Sequence, residues 1–237
     1  SRADLTGALG HRPDSTKYYY WITQRIFKDH LLEIKDNDFR LTADALFQFE
    51  IGYERGDRTL YADTNRFYSN VRGAWFTGDL GKKLSFQTCV QEHQSIAPQY
   101  LLLYTSETGT ISGQGRVKFN QRRILDYGWS QGNVSYTPLD WLNIQFGHGK
   151  HFVGHGYRSV LLSDNPVNAP YLQFSALSPS KRFQYTTWIS KTESGVNGSD
   201  RLPTGQSAES LFYWRRARFN HLSINLGRVQ LGLFEST

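Results

Sequence analysis

The stretch with the clearest periodicity is Leu41-Thr-Ala-Asp-Ala-Leu-Phe-Gln-Phe-Glu-Ile-Gly-Tyr53. Side chains alternate between the two faces of a β-strand, so residues two positions apart share a face. One face then carries apolar side chains throughout, namely Leu41, Ala43, Ala45, Phe47, Phe49, Ile51 and Tyr53. The other is polar or small apart from Leu46, namely Thr42, Asp44, Gln48, Glu50 and Gly52.

The length of this alternation decides between two kinds of sheet. Strands of soluble proteins average about 5–6 residues, whereas a tilted strand needs about 9–11 residues to cross a bilayer. The stretch 41–53 is long enough to cross, and an apolar face opposite a polar face is typical of the wall of a membrane β-barrel. The alternative is a half-buried strand in a soluble sheet.

Short turns and long loops alternate along the rest of the chain. The short turns are Leu80-Gly-Lys-Lys83, Pro138-Leu-Asp140 and Leu226-Gly-Arg228. Long polar loops are predicted at 94–115, which we expect to contain a short helix, at 147–170 and at 191–210. Such alternation is typical of the two ends of an outer-membrane barrel. We therefore predict an all-β fold, an antiparallel transmembrane β-barrel that is partial, with about 8–10 strands in this chain.

The chain divides into two predicted parts. Residues 1–40 form a polar entry and a short N-terminal helical segment, since apolar side chains lie at helical spacing between 17 and 30. Residues 41–237 form the barrel wall. The chain of 237 residues lacks methionine even at position 1 and lacks a signal peptide, which indicates a processed N-terminus or a fragment.

The composition narrows the function classes. Hydrophobic residues make up 38% of the chain and no run of about 18 apolar residues occurs, which excludes a helical membrane protein. The net charge of +6 comes from scattered cations and not from a basic tail, so it favours a cationic lumen that attracts anionic polymers over nucleic-acid binding. The single cysteine, Cys89, forms no disulfide framework and receives no role.

The residue types in the loop 147–170 suggest three kinds of site: a phosphate loop, a zinc site and a hydrolase triad. Gly147-His-Gly-Lys150 is followed by His151 where a phosphate loop needs Ser or Thr. His148, His151 and His155 could ligate zinc, but no Cys, Asp or Glu lies among them, so surface histidines are favoured and no metal or cofactor is predicted. Ser159, His155 and Asp164 are the residue types of a hydrolase triad, but no nucleophile elbow holds the serine.

The same loop carries a family resemblance. The segment Val153-Gly-His-Gly-Tyr-Arg-Ser-Val-Leu-Leu-Ser-Asp-Asn165 resembles the outer-membrane barrels related to the capsule assembly protein Wzi, nearest to a branch of gliding bacteria that includes gliding-motility proteins. The motif residues are Gly154, Gly156, Ser163, Asp164 and Asn165. Gly113-Gln-Gly-Arg-Val-Lys118, Leu211-Phe-Tyr-Trp214 and Gln230-Leu-Gly-Leu-Phe-Glu235 match in the same order, so the resemblance covers most of residues 30–237.

The resemblance implies a location and a size. It places the chain in the bacterial outer membrane, with its loops at the cell surface and the N-terminal segment on the periplasmic side. Members of the family are much longer, and this chain ends at Glu235-Ser-Thr237 within the predicted wall. We therefore expect a truncated part of a wide barrel in preference to a closed barrel of about eight strands.

The first function hypothesis is a non-enzymatic outer-membrane barrel that binds or assembles surface or capsular polysaccharide, with outer-membrane lipid and the polysaccharide as its partners. Aromatic rings would stack on sugars and cations would donate to acidic sugars, the candidate ligand-binding residues being Tyr157, Tyr127, Trp129, Trp141, Arg158 and Lys150. The aromatic residues could instead be interfacial anchors, and Arg158 could tie the loop through Asp164.

Two alternatives belong to other classes. One is a structural or accessory subunit of a larger outer-membrane complex, such as gliding or protein-secretion machinery, with other outer-membrane proteins as partners. The other is a soluble β-rich lectin or glycoside enzyme. Asp44 and Glu50 share a strand face, but six residues separate them by about 20 Å, which is too far for a glycosidase carboxylate pair.

Overall fold

The computed structural model describes residues 30–54, 59–61, 66–119, 124–157, 159–197 and 212–237. Within these ranges the chain forms one helix, α1 (Gln99–Thr108), and thirteen strands, which in chain order are β1 (Leu32–Asp36), β2 (Phe39–Gly52), β3 (Phe67–Leu80), β4 (Leu84–Ile96), β5 (Thr110–Ile111), β6 (Gly115–Arg116), β7 (Lys118–Phe119), β8 (Leu125–Leu139), β9 (Leu142–Gly149), β10 (Ala169–Leu177), β11 (Phe183–Asn197), β12 (Phe212–Asn225) and β13 (Gln230–Ser236). Among the described residues, no helix is both long and apolar enough to span a membrane.

Eleven strands form one antiparallel sheet. Ten of them form a continuous path in which β4 pairs with β8 and every other strand pairs with the next one along the chain. The order is β1-β2-β3-β4-β8-β9-β10-β11-β12-β13, with β7 paired to β8 outside this path, while β5 and β6 form a separate hairpin. In the described part of the chain, β1 and β13 are the edge strands. The prediction of an all-β antiparallel fold is confirmed.

The two ends of the sheet differ in their connections. At the end that we name the turn end, short turns join the strands at 37–38, 81–83, 140–141, 178–182 and 226–229. At the opposite end, the loop end, the connections span 53–66, 97–124, 150–168 and 198–211. The three predicted short turns all lie at the turn end, and the helix expected in the loop 94–115 is α1.

The two faces of the sheet have opposite chemistry. Residues paired across strands lie on the same face, so the ladders define an apolar row that consists of Phe86, Val134, Phe146, Leu172 and Ile189. The adjacent polar row lies on the other face and consists of Thr42, Thr77, Gln87, Asn133, Gly147, Tyr171 and Ser190. We call the two sides the apolar face and the polar face.

Burial is inverted relative to a water-soluble sheet. Phe146 in the apolar row is 63% exposed, and Val134, Leu172 and Ile189 of that row are also exposed. Tyr171 in the polar row is 6% exposed, and Thr42 and Ser190 are buried. The polar row is therefore more sheltered than the apolar row, although Gln87 within it is exposed. The polarity predicted from residues 41–53 continues across the sheet along these two rows.

Several predicted boundaries were wrong. β1 lies in the segment 1–40, which was assigned to the polar entry and helix, while residues 17–29 of that helix lie outside the described residues. The strand β10 was missed, and the loop 147–170 is shorter than predicted, at 150–168, because Gly147–Gly149 pair with Ala169–Tyr171. The strand β11 continues to Asn197, beyond the predicted start of the loop 191–210, because it remains paired with β12.

Candidate functional site

A cavity of about 300 Å³ lies on the polar face, beside the ends of β9 and β10 that meet the loop 150–168. Four side-chain amides from three strands line it, and the pairing of Gln87 with Asn133 and of Cys89 with Gln131 brings them together. The lining consists of Gln87, Gln131, Gly132, Asn133, Gln145, His148, Gly149, Lys150, His151 and Tyr171. No carboxylate is among these lining residues.

Gly147 lets Tyr171 reach across β9 into this cavity. A Cβ at position 147 would lie 2.6 Å from the carbonyl oxygen of Gly132 and 2.9 Å from the hydroxyl oxygen of Tyr171. Because glycine leaves that space open, the Tyr171 hydroxyl donates a hydrogen bond to Oε1 of Gln145 at 2.9 Å. The ring therefore forms one wall of the cavity, with its polar tip among the amides.

His151 begins a series of aromatic rings beside the cavity. Its ring meets Tyr171 edge-on at a centroid distance of 4.3 Å and Trp188 at 4.7 Å. Trp188 stacks on Phe219 at 5.0 Å, and Phe219 on Phe234 at 6.2 Å. We call these five residues the aromatic row, and it continues the cavity wall across β10 to β13.

Burial makes His151 a neutral polar group. Removal from water disfavours the charged imidazolium and lowers the pKa of His151 to about 4, so the ring is uncharged at pH 7. Its Nε2 atom, like Nε1 of Trp188, is buried with no hydrogen-bond partner among the described residues. Buried polar atoms ordinarily have a partner, so these two atoms are exceptions enclosed within the packed aromatic row.

Lys150 joins two loops at the rim of the cavity. Its Nζ atom donates to the carbonyl oxygen of Gly113, and the Ser112 hydroxyl donates to Oδ1 of Asn165 at 3.3 Å. Desolvation lowers the pKa of the Lys150 ammonium, which the negative charge of Asp164 partly opposes. The hairpin β5–β6 and the loop 150–168 are thus held together beside the site.

The predicted ligand-binding residues lie in different places. Tyr127 is on the polar face, stacked on His93 at 4.6 Å, with Trp129 two residues further along the same face of β8. Trp141, 51% exposed, is at the turn end, nine residues from Lys150 and about 30 Å away along the strand. Tyr157 is 94% exposed, and Arg158 lies outside the described residues. Only Lys150 of the six lines the cavity.

The loop motif organises its own backbone. Val153 and Leu162 form a β-bridge, and the Ser159 hydroxyl donates to the Val153 carbonyl while it accepts the backbone N–H of Leu161 at 3.0 Å. Gly154 has a φ of 139°, a conformation that favours glycine. Ser159 therefore stabilises the turn and is not presented as a nucleophile.

The rest of the motif follows the same pattern. The Ser163 hydroxyl accepts the backbone N–H of Asn165 at 3.2 Å, Asp164 lies near Lys150, and Gly156 is at an exposed bend. The three loop histidines do not converge, since His148 hydrogen-bonds the Ser130 carbonyl while His151 lies in the aromatic row. In the ranges that the structure describes, no group of three or more His, Cys, Asp and Glu side chains could hold a metal ion.

Most of the cavity was not identified from the sequence. The polar residues that alternate along three strands, namely Gln87, Gln131, Asn133 and Gln145, were a usable signal, because period two assigns each to the polar face. Comparisons of the chain with family models, with curated proteins and with solved structures give no match. The function is therefore inferred from the geometry of the sheet and the cavity.

Proposed function

We propose that this chain forms part of the wall of a bacterial outer-membrane β-barrel that contacts a surface polysaccharide through its polar face. The observation that carries the proposal is the inverted burial, with Val134, Phe146, Leu172 and Ile189 of the apolar row exposed and Phe86 half-buried. A large exposed apolar surface indicates a membrane or protein contact, and a polar inner face opposite an apolar outer face is the polarity of membrane barrels.

Strand length and the ends of the sheet support the membrane location. Six of the strands are 13 to 15 residues long, more than the about 9–11 residues needed to cross a bilayer. Exposed aromatic residues at the turn end, Tyr136, Trp141 and Phe183, suit an interfacial girdle. In this orientation the turn end faces the periplasm and the loop end faces the cell surface. Because lipid offers no hydrogen bonds to the backbone, the two edge strands must pair with further strands to close the barrel.

Polysaccharide contact is supported by the chemistry of the cavity. Side-chain amides, a tyrosine hydroxyl and aromatic walls beside the loop 150–168 suit hydroxyl groups and sugar rings. Among the lining residues no carboxylate pair is available for glycoside hydrolysis, so the role we propose is binding without chemistry. The resemblance of the loop motif to Wzi-related barrels points to the same class of ligand.

A subunit of a larger outer-membrane complex is the second candidate. Phe47 and Phe49 are exposed on the apolar face of β2, yet they pair with Arg72 and Asn70. Arg72 forms an ion pair with Glu92 at 3.2 Å, so these phenylalanines lie beside charged groups that do not suit lipid tails. A protein partner that covers Phe47 and Phe49 explains this arrangement.

Two sets of measurements test the two proposals. The full-length protein should fractionate with the outer membrane, migrate differently in electrophoresis with and without boiling, and retain extracted surface polysaccharide. A soluble protein without a heat-dependent shift would refute the barrel, and a folded barrel that retains no polysaccharide would refute the ligand. For the second candidate, Phe47→Ser with Phe49→Ser should release a partner in native gels of gently solubilised membranes, whereas a barrel that already migrates alone counts against it.

A further inference from the structure

The cavity offers hydrogen bonds of both kinds to a ligand. Each of the four amides has a carbonyl oxygen that accepts and an NH₂ group that donates. The Tyr171 hydroxyl is already directed at Gln145, which positions both groups. Hydroxyl groups on a sugar ring also donate and accept, so they match this lining without any ionised group.

The charges around the cavity are balanced. Lys150 is the only lysine, arginine or acidic residue of the lining, and the pKa of His151, at about 4, leaves that ring uncharged at pH 7. The Lys150 ammonium donates to Gly113 and lies near the carboxylate of Asp164. Because this cation already has an acceptor and a counter-charge within the protein, the cavity does not favour a carboxylate ligand.

The aromatic wall of the cavity is closely packed and the cavity is small. His151 lines the cavity, and its ring lies against Tyr171 and Trp188 at centroid distances of 4.3 and 4.7 Å. Its Nε2 is enclosed, so the open hydrogen-bonding groups of the lining are the amides and the Tyr171 hydroxyl. A volume of about 300 Å³ lies at the small end of ligand sites, which hold about 300–1,000 Å³, so the ligand unit is small.

From these three features we infer that the cavity binds one uncharged sugar ring of the surface polysaccharide and not an acidic sugar. The inference rests on the proposed function and names its ligand class. It differs from the expectation drawn from the scattered cations, which pointed to acidic polymers.

The test uses the full-length protein in detergent and isothermal titration calorimetry. The probe is the surface polysaccharide extracted from the cells that produce the protein, used as extracted and after carbodiimide–borohydride reduction, which converts carboxylates to alcohols. We expect both forms to bind with the same affinity within about twofold, and we expect little change between low and high salt. Binding that is lost on carboxyl reduction would overturn the inference and leave the proposed polysaccharide contact standing.

A pair of variants locates the binding. Gln131→Leu removes one amide from the cavity and should weaken binding by about tenfold. The matched control Gln48→Leu removes an amide from the polar face of β2, where Gln48 donates to Glu50 at 2.6 Å, and should bind like the wild type. Equal binding by both variants, each with the wild-type heat-dependent mobility shift, would overturn the inference. An absence of binding by the wild type would instead refute the proposed ligand itself.

Discussion

Gly147→Ala tests the register that brings Gly147 of β9 against Gly132 of β8 and the Tyr171 hydroxyl of β10. The new Cβ would lie 2.6 Å from the Gly132 carbonyl oxygen, whereas ordinary contact begins at 3.4 Å, so the backbones must separate by about 0.8 Å. Overpacking of this kind costs about 1–3 kcal/mol. Displacement of Tyr171 from Gln145 removes a hydrogen bond worth about 1 kcal/mol. Alanine also restricts the unfolded chain more than glycine does, which offsets a small part of this loss. We expect the free energy of unfolding to fall by about 2–3 kcal/mol in total.

Gly149→Ala is the matched control for this prediction. Gly149 lies on the same face of β9, but the nearest atom to its Cβ would be Cε1 of Tyr171 at 3.7 Å, an ordinary contact. Alanine at this position should leave stability unchanged or raise it by up to about 1 kcal/mol. The assay is urea unfolding of the folded protein in detergent, followed by tryptophan fluorescence. If the two variants unfold at the same urea concentration, Tyr171 does not cross β9 over Gly147 and the description of the cavity is wrong.

Two further predictions concern the aromatic row. Because the pKa of His151 is about 4 in the folded protein and near 6.5 in an unfolded chain, the unfolded state binds more protons between these values, so stability should fall as the pH drops from about 6.5 to about 4. His151→Phe should reduce that slope in urea unfolding at stepped pH, and an unchanged slope would contradict a buried neutral imidazole. Trp188 is 3% exposed and lies between His151 and Phe219, so Trp188→Ala should lower the free energy of unfolding by about 3–5 kcal/mol. The control Trp141→Ala, at the turn end, should lower it by less than about 1 kcal/mol. Equal losses of stability in urea unfolding would contradict the packing of Trp188.

The sheet could be predicted where one strand carries its own signal. The alternation of residues 41–53 assigns each side chain to a face, and Gly81 and Gly227 have positive φ in the predicted short turns. The strand β10 was missed because it begins at Ala169-Pro170 directly after the polar loop. Proline ordinarily indicates the end of a strand, although Leu172, Phe174 and Ala176 continue the alternation.

The site could not be predicted because it depends on register between distant strands. Gln87, Asn133 and Tyr171 lie in one row only once β4, β8, β9 and β10 are paired. His151 has the sequence context of an exposed loop histidine, two residues after Gly149 and three before Gly154, yet Trp188 from β11 packs against it. Burial of this kind arises from tertiary packing, which no local pattern records.

The most direct test of whether the apolar face contacts lipid is the accessibility of spin labels along β4. The labels are placed one at a time at residues 84–91 of the full-length protein, reconstituted in lipid, and Cys89 is changed to serine whenever another position is labelled. A membrane wall should give a period of two: labels at Leu84, Phe86 and Val90 are relaxed by oxygen dissolved in lipid, and labels at Ser85, Gln87 and Gln91 by a water-soluble nickel reagent. If the labels at Leu84, Phe86 and Val90 are shielded from both reagents, or are reached by the nickel reagent, the apolar face does not contact lipid and the chain is not a membrane wall.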